Sequence, residues 1–453
     1  SGTKFIKEAV SNGASAVICS EKIKYKSDKI PLFFVKNVRK SLSEACSNFY
    51  KRKPKNIIAV TGTNGKSSVA DFFYQILSLN KISVASIGTL GVLSKRYKKK
   101  TKLTSMDPQN LHKALKILAQ KNIKNVILEA SSHGLAQKRL DNLNIKAGIF
   151  TNLSHDHLDY HKTMKSYFDT KMYLFKNLLK KNSKIITDTE NKEFKIIKKI
   201  ANNKKLKLTT IGKNYGNIKI LHNTYDGKNQ IVTLSLKSKI IKLKIPLIGF
   251  FQIKNLLMAS LAALNIGLNQ NVILKHLHKI RPVPGRLECV ASLKKSNLDI
   301  ILDFAHTPEA LEFSLKALKK QFKREIVIVF GCGGERDKKK RFKMGKIAKR
   351  FCKKIFVTDD NPRNENPKEI RNTIIKSCKK KAANIGNRKK AIKAAFNELN
   401  SNEILLVAGK GHETTQDYGN KIINFSDKKF LRELASKRKF PARENYNKNF
   451  NLK

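Results

Sequence analysis

The amino-acid sequence predicts an α/β protein built on at least two open, mostly parallel sheets. Three observations carry that expectation. The chain has 453 residues, too many for one hydrophobic core and enough for two or three domains. Short apolar runs alternate with stretches of helical periodicity, the pattern of a doubly wound sheet. Polar and glycine-bearing motifs follow those runs directly, where open α/β sheets bind ligands.

Residues 1–51 read as part of a small α/β unit. A helical pattern near Phe5–Ser11 leads to a strand at Ala16–Cys19, and the run Leu32–Val35 precedes a helical stretch from Ser41 to Tyr50. The chain opens at Ser1-Gly2-Thr3 without a methionine, so an N-terminal portion of this unit is expected to be missing. The basic segment Lys51-Arg52-Lys53-Pro54-Lys55 marks a boundary, and a second domain is expected over 52–281. There Ile57–Val60 reads as a buried strand. Val69, Phe72, Phe73, Ile76 and Leu77 then line one helical face. Further strands are expected at Val126–Leu128, Ala147–Phe150 and Lys184–Thr187. Alternation around Asp226-Gly227-Lys228-Asn229 marks a β-hairpin insertion within 203–247. A helix follows from Asn255 to Leu264. The segment Arg281-Pro282-Val283-Pro284-Gly285 opens a third domain, 282–453, with strands at Asp299–Leu302, Ile326–Phe330, Ile355–Val357 and Ile404–Ala408.

Composition narrows the class. Six cysteines form no C-x-x-C pair, which fits a reducing compartment and argues against a disulfide framework or zinc ribbon. No signal peptide is visible, and the apolar stretch Ile245–Leu268 is interrupted by Gln252, Lys254 and Asn255. A cytoplasmic protein is expected, with no membrane partner. The formal charge of +60 admits two readings. One is nucleic-acid binding. The other is a composition bias toward Lys, Asn and Ile, and the scatter of lysines over nearly every segment favours it. No nucleic-acid partner is therefore expected.

The loop Thr61-Gly62-Thr63-Asn64-Gly65-Lys66-Ser67, between a strand and a helix, suits phosphate binding. Its glycines admit backbone N–H groups close to phosphate oxygens, Lys66 can reach the outer phosphates, and Ser67 or Ser68 can ligate Mg²⁺. It departs from the usual spacing, because Val60 stands where a first glycine would be. Glu129, at a strand end, could hold Mg²⁺ or cap a helix. The cluster His155-Asp156-His157-Leu158-Asp159-Tyr160-His161 could be a zinc or di-metal hydrolase site, a magnesium site or a solvated loop. In the C-terminal half, Asp303-Phe304-Ala305-His306 and Gly331-Cys332-Gly333-Gly334-Glu335-Arg336-Asp337 end two strands. Asp359-Asp360-Asn361-Pro362-Arg363 joins acid, amide and guanidinium in one turn, which suits a zwitterion. Gly409-Lys410-Gly411-His412-Glu413 could set Glu413 against an ammonium group.

Taken together these motifs resemble the Mur ligase family over essentially the whole chain. They include TGTNGKSS, EASSHGLAQKRL, FTNLSHDHLDYH, YFDTKMYLF, VPGRLE, DFAHTP, GCGGERDKKKR, DDNPR and GKGHE, in the family's order. The resemblance implies a three-domain architecture: a UDP-precursor-binding domain, here truncated, a central P-loop ATPase domain with a parallel-rich sheet, and a C-terminal Rossmann-like domain that binds the amino acid. Two such domains would face each other across a cleft. It implies a monomeric ATP- and Mg²⁺-dependent ligase of peptidoglycan synthesis. ATP would phosphorylate a terminal carboxylate, and an amine would attack the resulting acyl phosphate.

The same resemblance assigns roles by position. Gly62, Thr63, Asn64, Gly65, Lys66, Ser67, Ser68, Asn255, Arg286, Asp303 and His306 would bind ATP. Ser67, Glu129, His157 and a carbamylated Lys171 would hold magnesium, and Lys66, Lys171, His157 and Glu129 form the catalytic set. Thr104, Ser105, Ser131, Gln137 and Arg139 would hold the UDP-muramoyl peptide. Arg336, Asp360, Asn361, Pro362, Arg363, Gly409 and Glu413 would hold diaminopimelate. Arg363 implies meso-diaminopimelate over L-lysine, because it can pair with the second carboxylate. A lysine-adding Mur ligase and a folylpolyglutamate-type ligase are the alternatives. Four departures stand out: Thr104-Ser105-Met106-Asp107 for Thr-Thr-Pro-Asp, Gln252 for the first Asn of an Asn-x-x-Asn pair, Glu335 for Asp, and no early uridine-binding stretch.

Overall fold

A computed structural model of the chain describes residues 2–20, 30–101, 103–378 and 381–437. It divides into two compact units, Ser1–Arg281 and Pro282–Lys453.

The first unit begins with α1 (Ile6–Ser11), β1 (Val17–Cys19), β2 (Leu32–Phe34) and α2 (Val38–Phe49), with β1 and β2 paired in parallel. Helix α2 starts three residues before the expected Ser41. The reason is local: the Asn37 side chain accepts from Lys40 N and caps the helix. The Ser43 hydroxyl donates to Asp141 O at 2.7 Å, tying α2 to the rest of the unit.

The central sheet starts with β3 (Asn56–Thr61), followed by α3 (Lys66–Leu79), β4 (Val84–Gly88), β5 (Gly91–Ser94), β6 (Lys98–Lys99), α4 (Pro108–Gln120) and β7 (Asn125–Glu129). Next come α5 (Ser132–Ala136), β8 (Ile145–Phe150), α6 (Leu158–His161), α7 (Met164–Tyr173), β9 (Leu179–Asp188), α8 (Phe194–Asn203) and β10 (Lys207–Gly212). The unit closes with β11 (Ile218–Asp226), β12 (Asn229–Leu236), β13 (Lys239–Ile245), α9 (Phe250–Asn265) and α10 (Gln270–Leu274). Among the described residues the strands lie in the order β13-β12-β11-β10-β9-β8-β3-β7-β4-β5-β6. Strands β3, β7 and β8 pair in parallel and are buried almost throughout, as strands covered on both faces must be.

The hairpin β11–β12 is antiparallel as expected, but it is not a separate insertion. Parallel pairing of β10 with both β9 and β11 makes it an extension of the central sheet. Helix α9 starts five residues before the expected Asn255, so Gln252 and Asn255 share one buried helix. No helix of the described residues is long and apolar enough to cross a membrane.

The second unit contains β14 (Glu288–Leu293), β15 (Leu298–Leu302), α11 (Pro308–Phe322), β16 (Glu325–Phe330), α12 (Lys339–Phe351), β17 (Lys354–Val357), α13 (Pro367–Cys378) and β18 (Ala382–Asn384). It continues with α14 (Arg388–Asn397), β19 (Glu403–Val407), β20 (Thr415–Asp417), β21 (Ile422–Asn424) and α15 (Asp427–Lys437). Its sheet runs β14-β15-β19-β16-β17-β18, parallel except for the edge strand β14. The order reverses around β19, and the carboxyl ends of β15, β16, β17 and β19 carry the polar motifs, as the topology of such sheets requires.

Candidate active site

In the first unit the site grows from the turn between β3 and α3. Gly65 sits at φ +88° as the residue before α3, and a Cβ there would lie 2.7 Å from Asn255 Oδ1. Glycine is thus demanded twice, by backbone conformation and by the neighbour on α9. Lys66 curls over its own loop and donates to Gly62 O at 2.9 Å and Thr63 O at 2.8 Å. The Ser67 hydroxyl donates to Glu129 Oε2 at 2.9 Å. Ser68 is buried in the first turn of α3. Gln252, the substituted member of its pair, still accepts from Asn255 Nδ2 at 3.1 Å.

Glu129 ends β7, next to β3, so the sheet itself delivers its carboxylate to the loop. Thr89 holds the other face of that carboxylate, donating from its backbone N to Oε1 at 2.8 Å. Deeper in α3, burial pushes the Asp71 carboxyl up to about 6, and the nearby Glu129 charge adds to the rise.

Lys171 comes from α7, about a hundred residues downstream, and is only 1% exposed. Its ammonium donates to Gly62 O at 2.8 Å and lies 4.2 Å from the centre of the Tyr167 ring. Burial, with the neighbouring Lys66 charge behind it, drives its pKa far below that of an ordinary lysine. His157 precedes α6 in a left-handed conformation, φ 52°, which a non-glycine residue adopts at a cost of order 1 kcal/mol or more. Its ring packs edge-on against His133 at 4.9 Å and lies 3.4 Å from Asp156 Oδ2. Burial holds its imidazole below the usual histidine range. Among the described residues no three His, Cys, Asp or Glu side chains group as metal ligands. The set near the loop is instead the Ser67 hydroxyl and the Glu129 carboxylate. Hard oxygen donors in small number suit Mg²⁺, which keeps waters and phosphate oxygens for its remaining positions.

The residues expected at the peptide substrate also converge. Thr104 meets Thr89 hydroxyl to hydroxyl at 3.1 Å. Ser105 donates to Glu129 O at 2.7 Å and accepts from Ser131 N at 2.9 Å. Arg139 donates to Ser105 O at 2.7 Å and to Gln137 Oε1 through Nε at 3.1 Å. The motif departure at Met106 leaves this geometry in place, since Asp107 still caps α4 and Pro108 takes its first position.

The second unit holds two clusters. Asp303, at the end of β15, accepts from Phe304 N at 2.8 Å, from Leu287 N at 3.2 Å and from the Ser314 hydroxyl. Arg286 stacks over the Phe304 ring at 4.3 Å, and Phe304 also contacts His306 at 4.8 Å. The second cluster joins the ends of β17 and β19. Gly409 sits at φ +107°, and a Cβ there would lie 2.5 Å from Asp360 Oδ2. That oxygen is buried with no hydrogen-bond partner among the described residues. Asn361 Nδ2 donates to Glu413 Oε2 at 3.0 Å. Arg363 donates to Gly334 O at 2.8 Å and lies 3.8 Å from Asp417. Arg336 is exposed beside this cluster, near Gly333, and Glu335 accepts from Asn364 Nδ2 at 2.7 Å.

Sequence reasoning missed three participants. Thr89 carries no motif. Lys410 was hidden among 94 lysines and arginines, yet it is fully buried. Arg388 is fully buried too, pairs with Asp427 at 2.8 and 2.7 Å, and donates to Ala408 O, one residue before Gly409. Their partners lie up to 49 residues away in the chain, so no local pattern announces them.

Comparison with known proteins bears on the family. Residues 60–263 match the Mur ligase middle domain, and 285–411 match the Mur ligase glutamate ligase domain. A protein of Rickettsia montanensis named UDP-N-acetylmuramoyl-L-alanyl-D-glutamate--2,6-diaminopimelate ligase is 40% identical over 96% of this chain and 90% of its own length. One of the same name from Rhizobium meliloti is 39% identical over 94% of this chain and 87% of its own length. A solved structure of a ligase of that name superposes with a TM-score of 0.68 and 30% identity, over 96% of this chain and 89% of that one. Folylpolyglutamate synthase of Mycobacterium tuberculosis, at a TM-score of 0.68 but 14% identity, shares the fold alone. With both domain models and these relatives spanning nearly its full length, the chain belongs to the Mur ligase family.

Proposed function

We propose that this protein joins meso-diaminopimelate to UDP-N-acetylmuramoyl-L-alanyl-D-glutamate at the expense of ATP, a step of peptidoglycan synthesis. The carrying observation is the meeting of Lys66, Lys171, Ser67 and Glu129 on one glycine loop, next to the Thr104–Ser105–Ser131–Arg139 network. A carboxylate is inert toward amines until one oxygen becomes a leaving group. Here the carboxylate oxygen of the muramoyl peptide attacks the γ-phosphorus of ATP, and ADP leaves. Lys66 and the backbone N–H groups of 62–67 stabilise the charge that gathers between the phosphates. The amine then adds to the acyl carbon, phosphate departs, and the amide forms with loss of the amine's proton.

Ser67 and Glu129 are the residues that would hold Mg²⁺, with His157 and a carbamylated Lys171 completing the set. When bound, the ion supplies Lewis-acid neutralisation of phosphate charge. The depressed pKa of Lys171 favours the carbamate, since only a neutral amine adds CO₂. Arg139, Gln137 and Ser131 orient the muramoyl peptide. Asn255 on α9 and the Arg286–Asp303–His306 cluster serve the nucleotide. In the second unit the buried, unpartnered Asp360 oxygen and Glu413 receive the ammonium groups of diaminopimelate, and Arg336 and Arg363 its carboxylates. Six free cysteines suit work in the reducing cytoplasm. The test is a ligation assay with purified protein, ATP, Mg²⁺ and the muramoyl dipeptide, offering meso-diaminopimelate or L-lysine. A tripeptide product carrying diaminopimelate supports the reading, whereas preference for lysine, or no product with either, overturns it.

A further inference from the structure

Lys410 follows β19 and is 0% exposed. A buried ammonium is costly unless each of its three protons finds an acceptor. Here all three do: Nζ donates to Glu413 Oε2 at 2.9 Å, to Asn361 Oδ1 at 3.1 Å and to Thr415 O at 2.6 Å. Lys410 therefore has no donor left for a ligand. Asn361 joins the same arrangement: its Oδ1 also accepts from Asp417 N at 3.0 Å, and one Nδ2 proton goes to Glu413 Oε2 at 3.0 Å. Two donors thus grip one oxygen of Glu413. The other oxygen, Oε1, has no hydrogen-bond partner among the described residues, and the side chain is 34% exposed.

We propose that Lys410 is a positioning residue for the amino-acid substrate, acting through Glu413. With Asn361 it clamps Oε2, fixes the carboxylate plane and presents Oε1 to a substrate ammonium group. A carboxylate held on one side loses little further freedom when the ammonium arrives, so the clamp lowers the cost of binding. This inference rests on the function proposed above.

The test is a double-mutant cycle on the full chain with Lys410→Met, Glu413→Gln and both together. Steady-state constants for all three substrates are measured alongside a thermal melt. Lys410→Met should raise KM for meso-diaminopimelate at least about tenfold, the equivalent of one charge-assisted hydrogen bond. KM for ATP and for the muramoyl dipeptide should stay within about twofold, a split that general damage to the fold does not produce. The double variant should be no worse than the poorer single variant, because both substitutions remove one device. Full additivity, or an unchanged KM in Lys410→Met, would overturn the proposal. If Lys410→Met does not fold, Lys410→Gln serves: its shorter, uncharged amide cannot hold three acceptors, and an unchanged KM there also overturns it. Wild-type ligation is measured first. Failure there counts against the proposed function, whereas an active wild type with indifferent variants counts against the clamp alone.

Discussion

The two units use their basic side chains in opposite ways. In the first, Lys66 and Lys171 donate to the carbonyls of Gly62 and Thr63, neutral groups on the loop they serve. In the second, Lys410 and Arg388 are closed by Glu413 and by Asp427, with carbonyls taking their remaining protons. The Lys66 ammonium, resting on carbonyls, can exchange them for phosphate oxygens with a net gain, because charge-assisted bonds are the stronger ones. A cation saturated by a carboxylate cannot leave without stranding a buried charge. The partner, more than the residue type, separates the groups that act from those that hold.

The contrast can be broken from either side. Arg388→Met should have the largest effect on folding. It strands Asp427, a cost of about 3–5 kcal/mol, seen as a lower melting temperature. Lys66→Met should have the reverse signature. We expect kcat to fall roughly 10²–10³-fold with little change in melting, because its loop carbonyls are not left carrying charge. If Lys66→Met melted as badly as Arg388→Met, the distinction would collapse.

Arg363→Ala sharpens the comparison within the second unit. Loss of a bidentate contact should remove roughly 2–3 kcal/mol of preference for diaminopimelate over lysine, read as the ratio of kcat/KM for the two amino acids. The smallest effect concerns Asp71. Burial raises its folded pKa to about 6, above the ordinary aspartate value of 3.8, so the folded state holds the proton more tightly than the unfolded state. Its stabilising contribution is complete below about pH 3.8 and is lost as pH rises to about 6. Chemical denaturation across that window should show the loss in wild type, and Asp71→Asn should flatten it.

How much of this was legible in the sequence follows from where each partner lies. Loop 61–67 is local: strand, glycines and helix adjoin, and β3 and α3 formed around it. The apolar periodicity of Val69–Leu77 gave a buried helix for the same reason. The edge strands β6, β14 and β18 were not anticipated, being short or only partly covered, nor was the four-residue β5 inside the sheet. The hairpin was read as an insertion because alternation reports pairing between neighbours. The attachment of β10 to β9 is set by a register between distant residues. Likewise the clamp on Glu413 and the Arg388–Asp427 pair join residues that only the folded sheet brings together.

We propose that the carboxylate is phosphorylated before the amine attacks it, and isotope transfer reads that step. Muramoyl dipeptide labelled with ¹⁸O in its reacting carboxylate is turned over with ATP and meso-diaminopimelate, and the released phosphate is weighed by mass spectrometry. One ¹⁸O is expected in each phosphate formed. Unlabelled phosphate accompanying labelled amide product would contradict it.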